Sequence, residues 1–158
     1  MDYHDYEYVS NITIGTPQQH FVIVPDTGSA DLWVPGRDCD SSCKGKHKFS
    51  MKDSSTFVHS KSRWVIKYGD GEARGVKGTD VVRLGGENEP QLVIPNSVFG
   101  IADHISPDYK TDPTDGVFGL AFASLSSIKG LPPLLNAIKQ GRYFTSLYQT
   151  FCGNSMNE

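Results

Sequence analysis

The sequence predicts an all-β domain: one lobe of short strands, sandwich or barrel-like, with a hairpin near its middle and a single short late helix. Three observations carry that expectation. Apolar residues mostly alternate with period two, 16 Gly and 9 Pro interrupt them every few positions, and one stretch alone has helical spacing. The 158 residues suit one domain, which at this size buries about 70% of its unfolded surface. Apolar residues make up 37% and aromatics 11%, enough to drive ordering. No repeat of solenoid length is present.

Each element follows from local chemistry. Tyr6, Tyr8, Asn11 and Thr13 read as a first strand, turned by Gly15-Thr16-Pro17. Phe21-Val22-Ile23-Val24 is a β-branched run between turn residues, hence a buried strand. Leu32-Trp33-Val34 comes next and closes at Pro35-Gly36. Residues 37–62 are rich in Ser, Lys and Asp and read as a surface excursion with at most a helical turn. Trp64, Ile66 and Tyr68 alternate with Val65 and Lys67, and Gly69-Asp70-Gly71 then gives the strongest short hairpin signal in the chain. Val76 to Leu84 returns, Gly85-Gly86 turns, and Leu92-Val93-Ile94 and Val98-Phe99-Gly100-Ile101 are two further strands. Pro132 and Pro133 suit a helix's first turn, Leu134, Leu135 and Ile138 share a face, and Gly141 suits its stop, so the helix runs from about Pro133 to Gln140.

Charge excludes some functions. Lys plus Arg number 15 against 18 Asp plus Glu, a net −3 without long like-charge blocks. No basic stripe is available for a phosphate backbone, so nucleic acid is not an expected partner. Nor is a membrane, because apolar runs are far shorter than the roughly 20 residues a spanning helix needs. Met1-Asp2-Tyr3-His4-Asp5 lacks the basic start and apolar core of a signal peptide, and fits a cytosolic chain or a mature-like segment given a start Met. Cys39 and Cys43 share a polar loop and Cys152 stands alone, which leans toward the second.

The chemistry-bearing segment is Asp26-Thr27-Gly28-Ser29, placed between the buried run ending at Val24 and Leu32-Trp33-Val34. Asp and Gly are ordinary turn residues. A carboxylate held at the end of a buried strand, beside two hydroxyls and a Gly that admits backbone amides, is also well placed to stay ionised and oriented.

Five segments together carry a resemblance. In order they are Ile14-Gly15-Thr16-Pro17-Gln18-Gln19, Asp26-Thr27-Gly28-Ser29-Ala30-Asp31-Leu32-Trp33-Val34-Pro35, Ser54-Ser55-Thr56-Phe57, Tyr68-Gly69-Asp70-Gly71 and Asp115-Gly116-Val117-Phe118-Gly119-Leu120-Ala121. From about Tyr8 to Leu147 the chain resembles the N-terminal lobe of pepsin-like aspartic proteases of the cathepsin D and nematode type. That implies a lobe over residues 1–147 and a divergent tail over 148–158, which would be a truncation, a spliced ending or an expression boundary.

The resemblance implies an aspartic-type endopeptidase, in which two carboxylates, one per lobe, share a proton and activate a water at acid pH. Asp26 would be the catalytic partner from this lobe, Thr27 and Gly28 would lock its loop, and Ser29 would hydrogen-bond its outer oxygen. Gly69-Asp70-Gly71 would be a flap over the peptide, with Tyr68 lining the pocket and Trp33 meeting the Tyr68 hydroxyl. Core packing is the plain alternative for Trp33 and Tyr68, and a turn before a buried strand is the reading for Asp115-Gly116. No cofactor and no metal are expected. The implied partner is a peptide or protein substrate, together with a missing C-terminal lobe or a second copy of the chain. The implied location is secreted or lysosomal.

The chain departs from the family pattern in places. D-T-G occurs once, and Pro25 stands where a bulky apolar residue is usual, removing an N–H from an interior strand. A single carboxylate would leave a catalytically silent lobe, a peptide-binding or antigenic fragment, unless two copies pair about a two-fold axis as retroviral proteases do. Cys39, Cys43 and His47 can be read as three zinc ligands, but the resemblance favours a Cys39–Cys43 disulfide. Asn11-Ile12-Thr13 matches a glycosylation sequon at Asn11.

Overall fold

The structure, a computed structural model, describes residues 2–3, 7–69 and 71–141. It is all-β, as expected. A small hairpin of β1 (Asp2–Tyr3) and β2 (Glu7–Tyr8) precedes a mixed seven-stranded sheet. The sheet comprises β3 (Ser10–Ile14), β4 (Gln19–Asp26), β5 (Leu32–Pro35), β6 (Val58–Tyr68), β7 (Gly71–Leu84), β8 (Leu92–Ile105) and β9 (Gly116–Gly119). Their order is β3-β4-β9-β5-β8-β7-β6, and β3 also pairs with β7 through Ile12↔Leu84 and Ile14↔Val82. That extra pairing closes six strands into a barrel, removing edges that would otherwise expose unpaired amides. β6 pairs with the other half of the long β7, and the two form the predicted hairpin.

Strand alternation divides the interior in two. On β4, Phe21 and Ile23 point into one cluster with Leu32, Val34, Phe49, Phe99 and Phe118. On β5, Trp33 points the opposite way, into a second cluster with Trp64, Ile66, Ala102 and Val117. The first cluster is the barrel core, and the second underlies the face on which Asp26 emerges.

Several expectations are corrected in detail. The two strands at Leu92–Ile94 and Val98–Ile101 are one strand of 14 residues. Asn96 has φ 52° and the register with β7 shifts between Asp80 and Val82, so Pro95-Asn96 forms a bulge within β8. Residues 37–62 are more than a surface excursion. Phe49 is fully buried, its N–H bonds Pro35 O at 2.7 Å, and β6 already starts at Val58. Pro25 is accommodated because strand alternation aims the main chain of Val22 and Asp26 at β9, where their carbonyls accept from Asp115 and Leu120. The backbone of Pro25 faces the other side, beyond Ser10↔Ile23 where pairing with β3 ends, so no ladder bond is lost.

Helix α1 (Pro107–Thr111) is a single turn, and α2 (Pro133–Lys139) lies where the late helix was expected. The face α2 buries differs from the expected one. Ala137 is fully buried, whereas Ile138 is 54% exposed. A small side chain lets the short helix dock closely on Ile94, while Asn136 and Gln140 donate to the carbonyls of Pro95 and Asn96. Asp70 at the hairpin tip and the tail 148–158 with Cys152 lie outside the described residues.

Candidate active site

Asp26 ends β4 and is half-buried. Its Oδ1 accepts the Gly28 N–H at 2.8 Å, so the turn orients its own carboxylate. Residues 26–31 are stitched to the chain after β9. Leu120 N–H donates to Asp26 O, Ala121 N–H to Ser29 O, and Gly119 N–H to Asp31 O, at 2.8, 2.8 and 3.0 Å. Gly119 is required by this approach, since a Cβ there would lie 2.3 Å from Asp31 N.

Asp31 reinforces the loop from below. It is 5% exposed, and its carboxylate accepts from Ser126 Oγ at 2.6 Å, Ser127 N–H at 2.7 Å and Ile128 N–H at 3.2 Å. Lys77 holds the same segment by donating to Ile128 O. Three donors compensate the burial of that charge.

Above Asp26 lies a cleft of about 260 Å³ lined by Val24, Asp26, Trp33, Tyr68, Tyr109, Asp112, Thr114, Asp115, Gly116 and Val117. Trp33 is 1% exposed, and its Nε1–H donates to the Tyr68 hydroxyl at 2.9 Å. Tyr109 meets both rings edge-on, with centroids 5.6 Å from Trp33 and 5.7 Å from Tyr68. The Tyr68 phenol is pushed up to about 12, first by burial and also by the negative charges of Asp26 and Asp31. Hydrogen bonding with Trp33, and the nearby Ser29 hydroxyl, oppose that shift more weakly.

Some expected contacts differ. Ser29 Oγ is buried without a hydrogen-bond partner of good geometry among the described residues, and the Gly28 amide, not Ser29, holds Asp26. Thr27 and Gly28 are exposed. Gly69, in the turn that joins β6 to β7, is exposed. Cys39 and Cys43 form a disulfide, which removes both thiolates from the zinc alternative. His47 instead sets Nδ1 2.9 Å from Asp115 Oδ2. Among the described residues no group of three or more His, Cys, Asp or Glu is arranged to hold a metal ion. Asn11 is half-buried on β3, and Thr13 of its sequon is fully buried, donating to Gln18 Oε1 at 2.6 Å.

A family model for eukaryotic aspartyl proteases matches residues 7–158. The chain belongs to that family. Aspartic protease 6 of Caenorhabditis elegans is 53% identical over 140 residues, covering 89% of this chain and 36% of the relative. Aspartic protease 2 of Necator americanus is 36% identical, covering 98% and 45%. Pepsin A of Bos taurus is 35% identical, covering 98% and 41%. The chain therefore spans less than half the length of these curated relatives.

Sequence reasoning missed four residues of this candidate site: Asp31, Tyr109, Asp112 and Thr114. Asp31 sits five residues after Asp26 in a motif already singled out, and only its distant partners reveal its work. Tyr109, on the single-turn α1, sits among polar residues that read as loop. Lys46 reaches the same segment from behind, donating to Thr114 O at 2.5 Å and to Asp112 O. Burial lowers its pKa, and the charges of Asp112 and Asp115 oppose that effect.

Proposed function

We propose that this chain supplies one catalytic carboxylate, Asp26, and half of the peptide cleft of an aspartic endopeptidase. The observation that carries the reading is the placement of Asp26. Its carboxylate is oriented by Gly28 N–H at the floor of an aromatic cleft, in a member of the aspartyl protease family. Gly28 holds the carboxylate, Thr27 and Ser29 belong to its loop and Trp33 to the cleft beside it, while Tyr68 and Gly69 stand on the flap side, to which the sequence also assigns Asp70. The substrate is a peptide or protein, and no cofactor takes part. The disulfide favours an oxidising location, secreted or lysosomal.

The chemistry needs two carboxylates. The charged one takes a proton from a water whose oxygen bonds to the scissile carbonyl carbon, while the protonated one donates toward the carbonyl oxygen. The tetrahedral intermediate then loses its C–N bond as the leaving amine gains a proton, giving an acid and an amine. D-T-G occurs once in the 158 residues, so the second carboxylate comes from another lobe or a second copy.

Peptide hydrolysis at acid pH, measured alongside sedimentation, tests this. A monomer of this chain alone is expected to be inert. Cleavage is expected only in a species carrying two such carboxylates, and is lost in Asp26→Ala. Cleavage that persists in Asp26→Ala, or its absence from a folded two-carboxylate species, overturns the reading.

A further inference from the structure

The cleft beside Asp26 is apolar and aromatic on its walls but carries a second acid that forms no direct ion pair, although the Lys46 ammonium behind the lining interacts with its charge. Asp112 is half-buried in the lining, and its Oδ1 accepts from Thr114 N–H and Thr114 Oγ–H, both at 2.6 Å. Its Oδ2 makes no hydrogen bond among the described residues. The other nearby acid is occupied. Asp115 is 4% exposed, and its oxygens accept from Val22 N–H and His47 N–H at 2.8 Å and face His47 Nδ1. Lys46 does not line the cleft, and its ammonium is held by the main-chain carbonyls of Asp112 and Thr114.

We propose that Asp112 selects substrates whose side chain in this cleft has an apolar stem and a cationic end, lysine or arginine. The proposal rests on the cleft being the peptide site described above. Val117 and the rings of Tyr68 and Tyr109 cover the methylenes, and these aromatic rings add attraction for a cation. Asp26 is committed to the reacting bond, which leaves Asp112 as the counter-charge for the side chain. Partial burial makes this pairing stronger than one on open surface. The Thr114 bonds and the Lys46 grip on the Asp112 and Thr114 carbonyls fix the loop before a peptide arrives, so little ordering is lost on binding.

The test uses the chain as it stands and two statine-type peptides that differ only at the side chain entering the cleft, lysine in one and norleucine in the other. Norleucine keeps the stem and drops the charge. Affinities are measured by calorimetry at about pH 5. The lysine peptide is expected to bind roughly fivefold tighter in low salt. That ratio is expected to fall below about twofold in Asp112→Asn, which keeps an acceptor for Thr114, and also in wild type at about 1 M salt. The salt series reads the same interaction without any substitution, should the variant fold poorly. Equal binding of both peptides, or a lysine preference unchanged in Asp112→Asn, overturns the selection by Asp112 and leaves the peptide site standing. Failure of a folded chain to bind either peptide removes the peptide site and this inference with it.

Discussion

The indole N–H of Trp33 donates to the Tyr68 hydroxyl at 2.9 Å, joining the strand that follows Asp26 to the hairpin on the opposite side of the cleft. The residues are 35 positions apart, and Tyr109 packs edge-on against both. One wall of the cleft is thereby fixed to the segment that carries the carboxylate.

Replacing Tyr68 with Phe keeps the ring and removes the acceptor, leaving the N–H of a buried indole unpaired. The expected cost is about 1–2 kcal/mol of folding stability. Denaturant unfolding of the wild type and Tyr68→Phe measures it, and a change of under a few tenths would mean that water replaces the hydroxyl.

The phenol of Tyr68 also makes an alkaline prediction. Its folded value of about 12 lies above the ordinary 10.0. Below pH 10 the group is protonated whether folded or unfolded, and its contribution to stability is fully present. As pH rises from 10 through 12 the unfolded chain releases a proton that the folded chain retains, so this stability is lost. Melting temperature against pH is expected to fall less steeply across that window in Tyr68→Phe than in the wild type.

Asp31→Ala removes the acceptor for Ser126, Ser127 and Ile128 at once and leaves the amides of Ser127 and Ile128 unpaired, the second of them buried. The expected destabilisation is about 3 kcal/mol. Hydrogen exchange is expected to quicken first at the amides of Ser127 and Ile128, and unchanged protection there would contradict the role given to Asp31.

Gly119→Ala places a methyl 2.3 Å from Asp31 N and 2.4 Å from Ala30 C, both main-chain atoms that cannot rotate away. A loss above about 3 kcal/mol is expected. Circular dichroism and solubility of the purified variant report it. Wild-type melting would show that the loop carrying Asp26 yields easily.

Much of this fold was legible because its physics is local. Alternation at Trp64, Ile66 and Tyr68 marks β6, and Gly69-Asp70-Gly71 marks the turn that follows. The unity of β8 was hidden because Pro95-Asn96 reads as a break, and only the positive φ at Asn96 and the register shift opposite it reveal a bulge. Phe49 was hidden by its polar neighbours, and its place in the core depends on a bridge to Gly36 made by distant chain. At the site, Asp26 was legible from its motif. Asp112 and Tyr109 were not, because their nearness to Asp26 arises where the chain leaves β8 and enters β9, a relationship absent from any local pattern.

Binding of a statine-type peptide at about pH 4 by the wild type and by Asp26→Asn tests the central claim most directly. Calorimetry on a chain shown to be folded is expected to give saturable binding, weakened about tenfold or more by Asp26→Asn, the scale of a lost hydrogen bond to a charged group. Equal affinity in the two proteins, or no binding by the folded wild type, would contradict the assignment of Asp26 as the carboxylate of a peptide-cleaving site.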